Sequence, residues 1–134
     1  MAGYSGTPLA KKLGIKPGAT LMLLGAPEGF KGLLDDLADD VTIRRAARGA
    51  ADVCVVFAKS EAELRRRFGG AAKAAGGEGR VWIAWPKQSS GVKTDLNGNV
   101  VRRFGLNAGW VDFKVCAIDE VWSGLAFKKR RSSG

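Results

Sequence analysis

A glycine-rich turn lies near the start of the chain, between an apolar run and a segment predicted to be helical. The apolar run covers residues 20–24, the turn is Gly25-Ala26-Pro27-Glu28-Gly29-Phe30, and we expect a helix over 31–37. Glycine lets a backbone approach a phosphate or ribose, and the start of a helix offers N–H donors. Pro27 interrupts this pattern because it has no N–H. The turn therefore predicts a ligand-binding fold without the signature of one ligand.

The chain has no histidine, which restricts the chemistry open to it. The usual general base, the commonest transition-metal ligand and every histidine-dependent nucleophile are absent. Any catalysis would rest on carboxylates, lysine, tyrosine or cysteine. We assign no catalytic residue, no metal and no cofactor from the sequence, and we leave open whether the chain is an enzyme while favouring a binding domain.

Positive charge is concentrated at the C-terminus. The net charge is +9, from 22 basic and 13 acidic residues. Four basic residues stand together as Lys128, Lys129, Arg130 and Arg131. This run indicates contact with a polyanion such as a nucleic acid, whereas the alternative is a solvated surface, because no nucleic-acid motif accompanies it.

Alternating strand and helix patterns define the elements that would position a site. A short helix begins at Thr7 and Pro8 and ends at Gly14, and a capping box at Ser60 opens a helix with a kink expected at Gly69-Gly70. The remaining elements are strands over 20–24, 41–45, 52–58, 80–85, 110–118 and 122–130, and helices over 31–37 and 99–106.

This order predicts an α/β fold: a single-domain, three-layer Rossmann-like sandwich with a mostly parallel sheet of about six strands. We expect the strand order 2-1-3-4-6-5, ending in an antiparallel hairpin because only residues 119–121 join the last two strands. Residues 46–51 are too few for a crossover helix, which makes the placement of the second strand the hardest part of the prediction. We expect one domain over 1–127 and a basic tail over 128–134.

Ligands of open parallel sheets bind beyond the carboxyl ends of the strands. Polar loop residues at that edge suit a small anionic or nucleotide-like ligand, although each one also has an ordinary structural explanation. The candidate ligand-binding residues are Gly25, Glu28, Gly29, Lys59, Lys87, Ser89, Ser90, Lys93, Asp119 and Glu120.

Cys54 and Cys116 lie in strands that this order separates by three spacings, roughly 14 Å. A disulfide needs Cα atoms within about 7 Å. We therefore expect two free thiols that serve packing.

Several stretches resemble a shortened class I methyltransferase core. They are residues 14–19 (Gly-Ile-Lys-Pro-Gly-Ala), the strand ending at Gly25, residues 51–53 (Ala-Asp-Val) and residues 79–86 (Gly-Arg-Val-Trp-Ile-Ala-Trp-Pro). The whole chain also resembles a family of small bacterial proteins. Its matching stretches are residues 3–9, 24–27, 85–87 and 115–124. The second resemblance implies no particular activity.

The methyltransferase resemblance implies S-adenosylmethionine, held by a glycine-rich turn and by an acid that closes the second strand. Here Pro27 interrupts the turn, and Arg44-Arg45-Ala46-Ala47 closes the strand without a carboxylate. One strand and two helices of that core are also missing. We therefore expect no tight binding of S-adenosylmethionine.

The sequence yields two main hypotheses and a third with less support. The first is a non-catalytic or weakly catalytic domain that binds a small anionic or nucleotide-like ligand. The second is a basic module that binds nucleic acid, and the third is methyl transfer. No apolar run is long enough to span a bilayer and no signal peptide is evident, so we expect a cytoplasmic protein without a membrane partner.

Overall fold

A computed structural model describes residues 8–34 and 37–130. Helices and strands alternate along the chain, and each of two strands is followed by a short 3₁₀ helix. The α-helices are α1 (Leu9–Leu13), α2 (Glu61–Ala75) and α3 (Gly98–Asn107). The strands are β1 (Thr20–Leu24), β2 (Thr42–Arg44), β3 (Val53–Phe57), β4 (Arg80–Pro86), β5 (Trp110–Ala117) and β6 (Trp122–Lys129). The 3₁₀ helices cover Phe30–Leu33 and Gln88–Ser90.

All six strands form one sheet in the order β2-β1-β3-β4-β6-β5. β2, β1, β3 and β4 pair in parallel, while β6 pairs antiparallel with both β4 and β5. The predicted α/β fold, its strand order and its closing hairpin are therefore confirmed.

The sheet separates two hydrophobic layers. α2 and α3 pack on one face, where Phe68 and Val101 join strand residues such as Met22. α1 and the first 3₁₀ helix pack on the other face, where Leu13 and Phe30 are buried. β3 is buried along its whole length, as its continuous apolar sequence predicts for a strand covered on both sides.

Local sequence accounts for the helix ends. The Ser60 side chain accepts a hydrogen bond from Glu63 N (3.1 Å), so the predicted cap at Ser60 is confirmed. Glu63 Oε1 accepts from Lys59 N (2.8 Å) instead of the Ser60 N–H that a capping box uses. Gly14 ends α1 in the left-handed conformation at φ 83°, which favours glycine. The predicted cap at Thr7 lies outside the described residues.

The short connection between β2 and β3 runs against α2. A Cβ added to Gly70 would lie 2.6 Å from Ala47 Cβ, so the glycine lets the 46–51 segment approach the helix. α2 continues unbroken from Glu61 to Ala75 through Gly69-Gly70. The connection therefore needs no helix of its own, because α2 covers this part of the sheet.

Two predicted elements need correction in their bounds. In place of the helix expected over 31–37, the structure has a 3₁₀ turn at Phe30–Leu33. Leu34 ends this turn, because its φ of −104° and ψ of 50° are not helical. β2 is shorter than predicted because Arg45 and the residues after it turn away from the sheet edge. Lys128 and Lys129 lie in β6, within the strand predicted over 122–130.

Both cysteines are free and buried, in agreement with the prediction. Cys54 belongs to the layer covered by α2, and Cys116 belongs to the opposite layer. Within residues 8–34 and 37–130, no helix has the length and apolar character needed to cross a membrane.

Candidate functional site

The carboxyl ends of the central strands meet at one edge of the sheet. Leu24, Phe57 and Pro86 end the parallel strands β1, β3 and β4 there. Pro86 pairs with Trp122, so the tip of the β5–β6 hairpin falls at the same edge. This is the edge at which the sequence predicts a ligand site.

The turn after β1 has the backbone of a binding loop. Gly25 and Gly29 have φ of 73° and 86°, which glycine adopts without strain. Among the described residues, the amides of Ala26, Glu28 and Gly29 donate to no acceptor. A Cβ added to Gly29 would meet nothing within 4 Å, so this side of the turn is open.

Arg67, on α2, lies against the other glycine of the turn. A Cβ added to Gly25 would lie 2.6 Å from Arg67 Nη1 and 3.0 Å from Phe57 O. Nη1 donates to Phe57 O (2.6 Å) and to Glu63 Oε1 (3.4 Å). The guanidinium therefore lies beside the ends of both β1 and β3.

Glu63 connects this arginine to the loop after β3. Its Oε1 accepts hydrogen bonds from Lys59 N (2.8 Å) and from Arg67. The Glu63 and Arg67 side chains lie one helical turn apart, at i and i+4, where opposite charges attract. The helix start, the strand end and the guanidinium are thus held as one unit.

A second hydrogen-bonded unit lies at the hairpin tip. Lys87 Nζ donates to Asp119 O (2.6 Å), which joins the loop after β4 to the hairpin. Asp119 Oδ1 accepts from Val121 N (2.8 Å) and Trp122 N (2.7 Å) and so closes the turn. Ser90 is held in its own loop, since its hydroxyl donates to Lys87 O (2.6 Å). These predicted site residues are therefore part of the loop architecture.

The other predicted side chains are exposed and have no hydrogen bond or ion pair with the described residues; they are Glu28, Lys59, Ser89, Lys93 and Glu120. Among the ten predicted ligand-binding residues, hydrogen bonds join Lys87 to Asp119 and to Ser90. Their role in binding stays a prediction.

The end of β2 carries a cation instead of an acid. Arg44 Nη1 donates to Arg48 O (3.0 Å), and its guanidinium lies against Gly49. Within the described part of the chain, no group of three or more cysteine or carboxylate side chains could hold a metal ion.

The basic residues near the C-terminus belong largely to the sheet. Lys128 Nζ and Arg80 Cζ lie 5.3 Å and 5.2 Å from the centre of the exposed Phe113 ring, within cation–π range. Arg130 N donates to Gly109 O (2.9 Å), and Lys129 is exposed at the end of β6. Arg131 lies outside the described residues.

Sequence reasoning missed Arg67 because it stands among three consecutive arginines on one helix. Its position four residues after Glu63 distinguishes it from Arg65 and Arg66. A side chain four residues after Glu63 lies on the same helix face, which α2 turns toward the strand ends.

Comparison with known proteins gives matches in structure alone. No protein-family model matches the sequence, and no curated protein matches it. In contrast, 46 chains of solved structures match the fold.

Three of these structures illustrate the similarity. A putative type 11 methyltransferase from Sulfolobus solfataricus has a TM-score of 0.64 at 15% identity. The match covers 94% of this chain and 92% of the methyltransferase chain. The pyocyanin biosynthetic protein PhzM has a TM-score of 0.63 at 12% identity over 90% of this chain. The O-methyltransferase NcsB1 from neocarzinostatin biosynthesis, solved with S-adenosylmethionine, has a TM-score of 0.62 at 13% identity over 84% of this chain.

The chain spans about half the length of two of these proteins, 53% of PhzM and 49% of NcsB1. At such identities the matches show a shared fold. This chain has the class I methyltransferase-like core that the sequence resemblance implied.

These matches correct the functional hypothesis drawn from the sequence. We expected a non-catalytic or weakly catalytic domain that binds a small anionic or nucleotide-like ligand, with a nucleic-acid module as the alternative. The resemblance to small bacterial proteins implied no particular activity. That ranking is wrong, because the solved structures that share the sheet include methyltransferases, one of them in complex with its methyl donor.

Proposed function

We propose that this chain binds S-adenosylmethionine at the carboxyl edge of its sheet and uses it as a methyl donor. The observation that carries the proposal is the sheet order β2-β1-β3-β4-β6-β5, in a fold matched by solved methyltransferases over most of the chain. This reverses the expectation of no tight binding, which rested on the missing sequence motifs. Fold alone does not fix a function, so the residues at the edge must also suit the ligand.

The turn after β1 suits this ligand in its donors and its open side. The amides of Ala26, Glu28 and Gly29 face no acceptor among the described residues, and Gly29 leaves room for close approach. The exposed Glu28 carboxylate can accept hydrogen bonds from ribose hydroxyls. We assign it this role because β2 ends in Arg44 and offers no acid there.

The bound donor would supply an electrophilic methyl group. The residues of this chain would hold and orient it through the turn after β1 and through the unit formed by Lys59, Glu63 and Arg67. The methyl acceptor would be a small molecule at the same edge. Some of the calls drawn from the sequence stay predictions. They are an anionic or nucleic-acid binding partner, a cytoplasmic location, membership of the small bacterial family, and the division into a 1–127 domain and a tail.

Calorimetric titration with S-adenosylmethionine and with S-adenosylhomocysteine tests the proposal. We expect dissociation constants between about 1 μM and 1 mM, or roughly −8 to −4 kcal/mol. No binding of either compound at millimolar concentration would contradict the proposal.

Two glycine variants show whether binding occurs at the turn. Gly29→Val places a side chain on the open side of the turn and should weaken binding by at least about tenfold, or 1.4 kcal/mol. Gly109→Val is the control, because Gly109 has a similar φ (90°) and open space but lies between α3 and β5, at the other edge. Equal binding by the two variants would place the ligand elsewhere.

A further inference from the structure

Arg67 brings a fixed positive charge from α2 to the turn after β1. Its guanidinium lies against Gly25, the first residue of the turn, and is held by Phe57 O and Glu63 Oε1. Two hydrogen bonds from one nitrogen restrict its position and orientation. The charge is therefore preorganised before any ligand arrives.

Most of the donors of this guanidinium remain available. An arginine side chain has five N–H donors, and the two hydrogen bonds use only those of Nη1. Within residues 8–34 and 37–130, Nε and Nη2 donate to no acceptor. The side chain is 31% exposed, so a ligand can reach it from solvent. A planar pair of donors of this kind suits a carboxylate.

We infer that Arg67 binds the carboxylate of the ligand's amino-acid portion, an inference that rests on the proposed function. S-adenosylmethionine has one carboxylate, in its methionine portion. The amides of Ala26, Glu28 and Gly29 stand in the same turn and can share that anion. The turn and the guanidinium thus form one carboxylate-binding unit at the ends of β1 and β3.

Glu63 makes this arrangement compatible with a positively charged ligand. S-adenosylmethionine carries a sulfonium and an ammonium group, which an isolated guanidinium would repel. Because Glu63 pairs with Arg67 (3.4 Å), the pair has no net charge, yet its hydrogen-bond donors remain. The same arrangement explains the glycine at position 25, since any side chain there would displace the guanidinium.

Decarboxylated S-adenosylmethionine is the probe that isolates the carboxylate. We expect the wild-type protein to bind S-adenosylmethionine at least about tenfold more tightly than the decarboxylated compound, about 1.4 kcal/mol. Arg67→Gln should reduce this preference by weakening binding of the intact compound only, because the turn amides still contact the carboxylate. Arg66→Gln, which removes an exposed charge from the same helix, should preserve it.

Four outcomes would count against the inference in distinguishable ways. If the wild-type protein binds both compounds equally, the inference fails while the proposed function stands. The same holds if Arg67→Gln keeps the preference, or if it weakens both compounds alike. If neither compound binds the wild-type protein, the proposed function fails as well.

Arg67→Lys covers the case in which Arg67→Gln does not fold, as judged by thermal unfolding. Lysine keeps the charge and loses the planar fork, so the preference should fall by part of its tenfold value. An unchanged preference in Arg67→Lys would overturn a role for the paired donors.

Discussion

The two thiols show how burial sets the chemistry of a residue. Burial raises the pKa of the Cys54 thiol to about 12, and the charge of Asp52 adds to the effect. Burial also raises the pKa of Cys116, although Lys12, Lys114 and Lys87 oppose the shift. Both side chains are therefore neutral at physiological pH and serve packing, because the thiolate is the reactive form.

Alkylation measures the state of both thiols. Mass spectrometry after iodoacetamide treatment under denaturing, non-reducing conditions should show two modified cysteines per chain. In the native protein at pH 8, modification should be slow because both thiols are buried and protonated. An intramolecular disulfide would contradict the sheet order, which separates the two strands by three spacings.

The raised pKa of Cys54 also predicts a loss of stability in alkali. Its ordinary value is 9.0, so the unfolded thiol releases its proton above pH 9 while the folded thiol keeps it up to about pH 12. The unfolded state then binds fewer protons, and the free energy of unfolding falls by up to about 1.4 kcal/mol per pH unit. Urea unfolding between pH 8 and 10 should show a smaller decline in Cys54→Ala. Parallel declines in the two proteins would show that Cys54 makes no such contribution.

At the scale of elements, the consecutive glycines of α2 have different surroundings. Gly69 is exposed, and a Cβ there would meet nothing within 4 Å, whereas a Cβ on Gly70 would lie 2.6 Å from Ala47 Cβ. Gly70 thus permits the contact between α2 and the β2–β3 connection, and Gly69 has no such role.

Alanine substitution should separate the two positions. Gly69→Ala should raise the free energy of unfolding by about 0.5–1 kcal/mol, because alanine has the higher helix propensity. Gly70→Ala should lower it by about 1 kcal/mol or more, since the 46–51 segment must move to relieve the overlap. Urea unfolding measures both values. Equal stabilisation by the two substitutions would mean that the segment does not pack on α2.

Local patterns predicted some elements and failed for others. Ser60 with Glu63 indicated the start of α2, and the continuous apolar run of β3 indicated a strand covered on both faces. The segment after the turn has helical composition, yet it forms a 3₁₀ turn at Phe30–Leu33. Burial of Phe30 against the sheet, with its ring 4.9 Å from that of Phe57, outweighs helix propensity there.

At the scale of the whole molecule, the strand order followed from the alternation of elements and from short connections. The site was less accessible to such reasoning. Arg67 acts at the strand ends only because α2 packs across β3 and because Gly25 leaves room for a guanidinium, and both conditions are tertiary. The functional hypothesis failed for a related reason: it relied on sequence motifs, whereas the similarity to methyltransferases lies in the fold.

Amide NMR during titration with S-adenosylhomocysteine tests the central claim, that the carboxyl edge of the sheet binds the methyl donor. The account predicts shifts for the amides of Gly25, Ala26, Glu28 and Gly29 in the turn, for those of Lys59 and Ser60, and for Arg67 Nε. The amides of Gly18 and Gly79, which precede β1 and β4 at the opposite edge, should not move. The absence of any shift at millimolar ligand, or shifts confined to the opposite edge, would contradict the account.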